Sequence, residues 1–203
     1  VVLVVCALSA ELRYVRVRPD VAILACGVGP VEASIATAAA LARNRYTAVV
    51  SAGIGGAYRE VAAVGEAVLI AEEVFANFGL EGGGSLALPD GASLVDRVRS
   101  DAGLLSRCAS LVPADMHLGR GLTVSCVTTT DATALHLRTS YATDVESMEG
   151  FSVLRAAALA GVPAIEIRGI SNFIGARASS AWDFAAGARA TARALETVLD
   201  RIV

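Results

Sequence analysis

Residues 144–172 read DVESMEGFSVLRAAALAGVPAIEIRGISN, and their pattern decides the fold. Residues 144–147 are short and extended. Residues 149–160 place apolar side chains at helical spacing. Residues 162–171 form an apolar run, begun by Pro163, that suits a strand buried on both faces. Extended, helical and extended segments in this order predict a sheet covered by helices. The same alternation continues outward. Residues 1–7, 21–26, 48–51, 65–75 and 118–127 read as strands, and residues 33–43, 93–108 and 181–202 as helices. Ser9 is expected to cap a helix start at Ser9-Ala10-Glu11, and Pro30 suits a first helical turn. Ser180 is expected to cap the last helix, with Asp183 three residues on. Residues 81–90 read as a Gly-rich loop or hairpin. No repeat or linker breaks the chain, so one domain over residues 1–203 is expected.

Apolar residues make up 55% of the 203 and charged residues 18%, which excludes a disordered polymer and supplies a large core. No apolar run reaches the roughly 18 residues of a membrane span, so no membrane association is expected. No basic start followed by a small-residue cleavage site is visible, so a cytoplasmic protein is expected. The net charge of −3 argues against nucleic-acid binding. All 17 basic residues are Arg. The absence of Lys removes P-loop, Schiff-base and pyridoxal chemistries. Cys6, Cys26, Cys108 and Cys126 have no metal-binding spacing and read as core thiols in a reducing compartment. With only His117 and His136 beside them, no metal site is expected, and no cofactor.

Polar residues collect where strands end. Gly27-Val28-Gly29 and Gly53-Ile54-Gly55-Gly56 each follow a strand, as tight turns or as places where a ligand nears the backbone. Neither has the full dinucleotide spacing. Ser147-Met148-Glu149-Gly150 lies between an extended segment and a helix, where Glu149 is a capping acid or a ligand-binding one. Asn172 ends an apolar strand, as a turn residue or a ligand contact. Glu11 exits the first strand. Strand ends of an α/β sheet are where ligands bind, so Glu11, Glu149 and Asn172 are candidates for one crevice.

These segments resemble the purine nucleoside phosphorylase and nucleosidase superfamily, in order and over nearly the whole chain. The resemblance rests on Ala7-Leu8-Ser9-Ala10-Glu11, the two Gly clusters, Glu146-Ser147-Met148-Glu149-Gly150 and Arg168-Gly169-Ile170-Ser171-Asn172. It implies an α/β three-layer sandwich about a central mixed, twisted sheet. It also implies roles. Glu149 would hold the ribose hydroxyls with Met148 against the sugar, and Glu11 would deprotonate the attacking water. Asn172 would address the purine. Val28, Ile54, Gly55, Gly56, Phe151 and Ser171 would complete the nucleoside site. A second subunit is expected, since the superfamily commonly completes sites across a dimer. Only residues 12–20 separate Glu11 from the next strand, where the superfamily usually has a longer helix and a strand.

Two departures narrow the reading. Hexameric phosphorylases carry Arg where this chain has Glu11, and a carboxylate there repels phosphate and suits water activation. The motif that usually ends Ile-Ser-Asp ends here in Asn172, whose amide donates to the oxygen of a 6-oxopurine. Ile-Ser-Asn with Met-Glu-Gly-Phe resembles the futalosine hydrolase family. That resemblance implies release of hypoxanthine from futalosine in menaquinone biosynthesis. A methylthioadenosine/S-adenosylhomocysteine nucleosidase, a phosphorylase and a non-catalytic nucleoside binder remain alternatives at this point.

Overall fold

The computed structural model describes residues 1–80, 86, 88–109, 116–176 and 182–203. Its strands are β1 (Val2–Cys6), β2 (Val21–Ala25), β3 (Ala48–Ala57), β4 (Ala67–Phe75), β5 (Arg97–Arg99), β6 (Met116–Thr123), β7 (Val145–Ser147) and β8 (Ala164–Phe173). Its helices are α1 (Pro30–Arg43), α2 (Ala102–Ala109), α3 (Asp131–Tyr141), α4 (Gly150–Leu159) and α5 (Phe184–Ile202). Among the described residues no helix is long and apolar enough to cross a membrane.

The alternation of β1 sets up the layers. Val2, Val4 and Cys6 pack with Leu104 of α2 and with Leu195, Val198 and Leu199 of α5. Leu3 and Val5 point the other way, onto Ala33 of α1 and Val153, Leu154 and Ala157 of α4. Helices therefore cover both faces of the mixed sheet, the expected three layers.

The sheet also closes on itself. β8 lies between β3, to which it is parallel, and β4, to which it is antiparallel. β4 pairs with β6, β6 with β7, and β7 returns to β3, so five strands form a ring. β1 and β2 extend the sheet from β3.

Two of the long strands, β3 and β4, change neighbours half-way. On one edge of β3, β1 pairs as far as Ser51 and β7 takes over at Gly56. On β4, β8 pairs as far as Ile70 and β5 begins at Glu72. The gap between β1 and β7 on β3 opens a crevice at the C-terminal ends of both.

Several expectations change. The strand expected over residues 48–51 continues to Ala57, through the second Gly cluster, because β8 pairs with it along its length. The helix expected over residues 93–108 is replaced by β5 and the shorter α2. Arg97 and Arg99 there flank Glu72 of β4, at 3.6 and 3.3 Å, so cross-strand charge pairing overrides the helical pattern. β6 stops at Thr123 rather than at residue 127. Ser9 does not cap. It begins a single 3-10 turn, Ser9–Leu12, and Leu8 holds the cap position. Asp183 caps α5 by accepting from the Ala186 N–H, 2.8 Å away, and Ser180 lies outside the described residues. So do residues 81–85 and 87 of the expected loop. Three cysteines are buried, but Cys126 is exposed.

Candidate active site

The crevice is a cavity of about 170 Å³. Each wall comes from a strand's exit. Ala7, Leu8 and Glu11 follow β1, and Ser147, Met148 and Glu149 end and follow β7. Ile54, Gly55 and Gly56 belong to β3, and Ser171 and Asn172 to β8. Val28, Val127, Trp182 and Phe184 complete the rim. The cavity thus brings together Glu11, Glu149, Asn172, Val28, Ile54, Gly55, Gly56, Met148 and Ser171. Phe151 does not line it. Its ring stacks on Phe75 below, with centroids 5.3 Å apart.

Glu11 is buried, and its position follows from the 3-10 turn. That turn folds the carboxylate back onto the Leu8 N–H, 2.9 Å from Oε2. Oε1 accepts from the Ile54 N–H at 3.0 Å, a donor in the stretch of β3 that neither β1 nor β7 pairs. Burial raises its pKa above the ordinary carboxylate value, against the two N–H donors and Arg168, and nearby Glu149 adds to the rise.

Glu149 occupies the cap position of α4 but caps nothing. Its Oε1 accepts from the Gly29 N–H at 2.9 Å. Gly27 and Gly29, with φ of 90° and 98°, make the tight turn that presents this donor. The capping reading of Glu149 therefore gives way, while the turn reading of the first Gly cluster stands.

Arg168, which the sequence reading did not place in the site, lies behind both carboxylates and is 1% exposed. Its Nη1 is 3.7 Å from Glu149 Oε2, its Nη2 donates to Ser51 Oγ at 2.9 Å, and its Nε donates to Glu166 Oε1 at 2.7 Å. A Cβ on Gly53 would stand 2.8 Å from Arg168 Nη1 and 2.9 Å from Glu11 Oε1, so glycine is required there. Glu146 was also missed as a site residue. Thr128 donates to it twice, from N at 3.0 Å and from Oγ1 at 2.5 Å, and burial raises its pKa. The signal for Arg168 was charge inside an apolar strand, whereas Glu146, on the short polar β7, carried none.

Asn172 sits in β8 opposite Gly56, which removes its reading as a turn residue. Ser171 Oγ lies 2.8 Å from Asn172 Oδ1 and donates to it. Asn172 Nδ2 donates one hydrogen to the Phe173 carbonyl at 3.2 Å and keeps a second for the cavity. The described lining carries three carboxylates and no cationic side chain. It repels anions and favours positive charge developing in a bound molecule.

The phosphorylase superfamily model matches residues 8–203. A futalosine hydrolase from Thermus thermophilus is 35% identical over 181 residues, 87% of this chain and 80% of the relative. Another, from Streptomyces coelicolor, is 40% identical over 168 residues, 79% and 70% of the two chains. The chain belongs to the phosphorylase superfamily, in the family of the futalosine hydrolases. Solved structures agree on the fold. A Helicobacter pylori futalosine hydrolase superposes with a TM-score of 0.82 at 15% identity, covering 98% of this chain and 97% of the other. A 5'-methylthioadenosine/S-adenosylhomocysteine nucleosidase from Helicobacter pylori gives 0.84 at 14% identity, with the same coverage.

Proposed function

We propose that the chain hydrolyses the N-glycosidic bond of futalosine, releasing hypoxanthine and dehypoxanthine futalosine in menaquinone biosynthesis. The observation that carries this reading is the convergence of Glu11, Glu149 and the Asn172 amide on one cavity.

The transition state of such a cleavage resembles an oxocarbenium ion. Glu149, anchored by Gly29, accepts from the ribose hydroxyls and sets negative charge beside the cation. Glu11 takes a proton from water as its oxygen bonds to the anomeric carbon and the bond to the purine breaks. The departing purine carries negative charge, which the free Asn172 hydrogen stabilises at N7 or O6 until solvent supplies a proton. Met148 and Ile54 pack along the nucleoside. The acidic lining opposes phosphate and supports hydrolysis over phosphorolysis.

Incubation of the protein with futalosine and chromatography of the products tests this. Hypoxanthine released without added phosphate is expected. Adenine released from methylthioadenosine in preference, or phosphate-dependent cleavage, would replace the reading.

The working unit is proposed to be a homo-oligomer, at least a dimer. Val28, Val31 and Ile35 are each more than half exposed and run from the cavity rim along α1. Four free thiols support a cytoplasmic location.

A further inference from the structure

Behind Arg168 lies a second pair of acids. Glu73 of β4 and Glu166 of β8 are both 0% exposed, and their carboxyl groups are in direct contact. We infer that Glu73 and Glu166 are positioning residues that share one proton and hold Arg168 as the counter-charge to Glu11 and Glu149. This rests on the reading of Glu11 as the base.

The hydrogen bonds run in one direction. The Phe151 N–H, in the first turn of α4, donates to Thr123 Oγ1 at 2.8 Å, and that hydroxyl donates to Glu73 Oε2 at 2.8 Å. Glu166 Oε1 accepts from Arg168 Nε at 2.7 Å. Glu73 Oε1 and Glu166 Oε2 remain, and neither has another partner. Two acceptors cannot satisfy each other in the dry interior, and two touching carboxylates cannot both ionise. A proton on Glu73 Oε1, donated to Glu166 Oε2, completes the chain.

The backbone is built around the pair. A Cβ on Gly121 of β6 would collide with Glu73, and one on Gly150 of α4 with Glu166. Burial raises the pKa of both acids, and Arg168 pulls Glu166 back toward its charged form, so Glu73 keeps the proton.

The charges then fix the strength of the base. Arg168 faces Glu166 from its own strand, Glu149 from the start of α4 and Glu11 from the turn after β1. Besides Arg168, Glu11 faces Glu149 and the thiols of Cys6 and Cys26, both raised by burial and neutral. With Glu166 ionised, the attraction of Arg168 for Glu11 is partly cancelled, and Glu11 remains a competent base.

The test combines pH profiles of nucleoside hydrolysis with infrared spectroscopy. Glu166→Gln removes the carboxylate that offsets Arg168, leaving its charge to act on Glu11 and Glu149 alone. The acid limb of kcat/KM is expected to move about one pH unit or more to lower pH, with a lower plateau. Glu73→Ala removes the donor to Glu166 and lowers kcat. Glu73→Gln, whose amide both donates to Glu166 and accepts from Thr123, restores the rate and the wild-type limb. Infrared spectra at neutral pH should show a deuterium-sensitive carbonyl stretch of a protonated acid, lost in Glu73→Gln. Absence of that stretch in the wild type would overturn the inference. So would a Glu166→Gln limb that does not move, or no rescue by glutamine. The spectrum is readable even if a variant fails to fold or the wild type cleaves nothing. In that last case the base reading falls while the shared proton is judged separately.

Discussion

Replacing Glu11 by Gln separates base catalysis from everything else the side chain does. The carboxylate accepts one N–H on each oxygen, from Leu8 and Ile54. An amide keeps one of these bonds and turns its NH2 toward the other donor. That mismatch, buried from water, costs about 1–3 kcal/mol. A domain with about 5–15 kcal/mol of stability survives it. At about 2–4 °C per kcal/mol for this size, the melting temperature falls by a measurable amount without unfolding the protein. The chemical loss is larger. A general base typically contributes about 10²–10⁴-fold, or about 2.7–5.4 kcal/mol at 1.36 kcal/mol per decade. In the proposed role Glu11 meets the water and not the purine or the ribose hydroxyls, so nucleoside affinity should stay within a few-fold. Saturating assays of hypoxanthine release, paired with calorimetric binding of the nucleoside, measure both quantities. A kcat within about tenfold of the wild type would remove Glu11 as the base.

Three further outcomes are expected. Asn172→Asp takes away the hydrogen that the proposed reading aims at the purine, so the proposed preference for hypoxanthine over adenine nucleosides, as a ratio of kcat/KM, should fall by about tenfold or more. A competition assay with an unchanged ratio would refute the base-reading role. Glu11, Glu73 and Glu146 have raised pKa values, with burial the largest cause. Their folded forms hold protons that the unfolded chain releases near the ordinary value of 4.5, so their stabilising contribution is full below that value and is lost as pH rises through the raised ones. Melting temperatures should therefore decline from mildly acidic to neutral pH, and a flat or rising curve would contradict this. Finally, Ile35→Arg on the exposed stripe of α1 should dissociate the proposed oligomer. Sedimentation of both proteins checks this, and a wild-type monomer would refute it.

The local parts of the fold were legible because they are encoded locally. The apolar run of β1, the turn at Gly27–Gly29 with Pro30 after it, and α4 followed by β8 are each set by neighbouring residues. The pairings that close the ring were not. Nothing in residues 48–57 shows that β8 will lie alongside all of them, so the glycines read as a turn where they are strand. Residues 97–99 carry a helical pattern, and only the distant Glu72 makes them an edge strand. The site divides the same way. Glu11, Glu149 and Asn172 stand at strand exits, where the pattern draws the eye. Arg168 and Glu166 stand two apart on one side of an apolar strand, a placement that already signals buried charge needing a partner. Their partners Glu73 and Glu149 come from elsewhere in the chain, and sequence spacing does not name them.

The hand-over on β3, from β1 to β7, ties function to a slow step of assembly. Glu149 meets Gly29 across 120 positions of chain, and Glu11 meets Ile54 across 43. Contacts so far apart in sequence carry a loop-closure cost and are expected among the slower steps of folding. A partly folded molecule with its helices in place would have neither acid seated. Enzymatic turnover during refolding is thus a clock for ring closure, lagging any spectroscopic signal of helix formation.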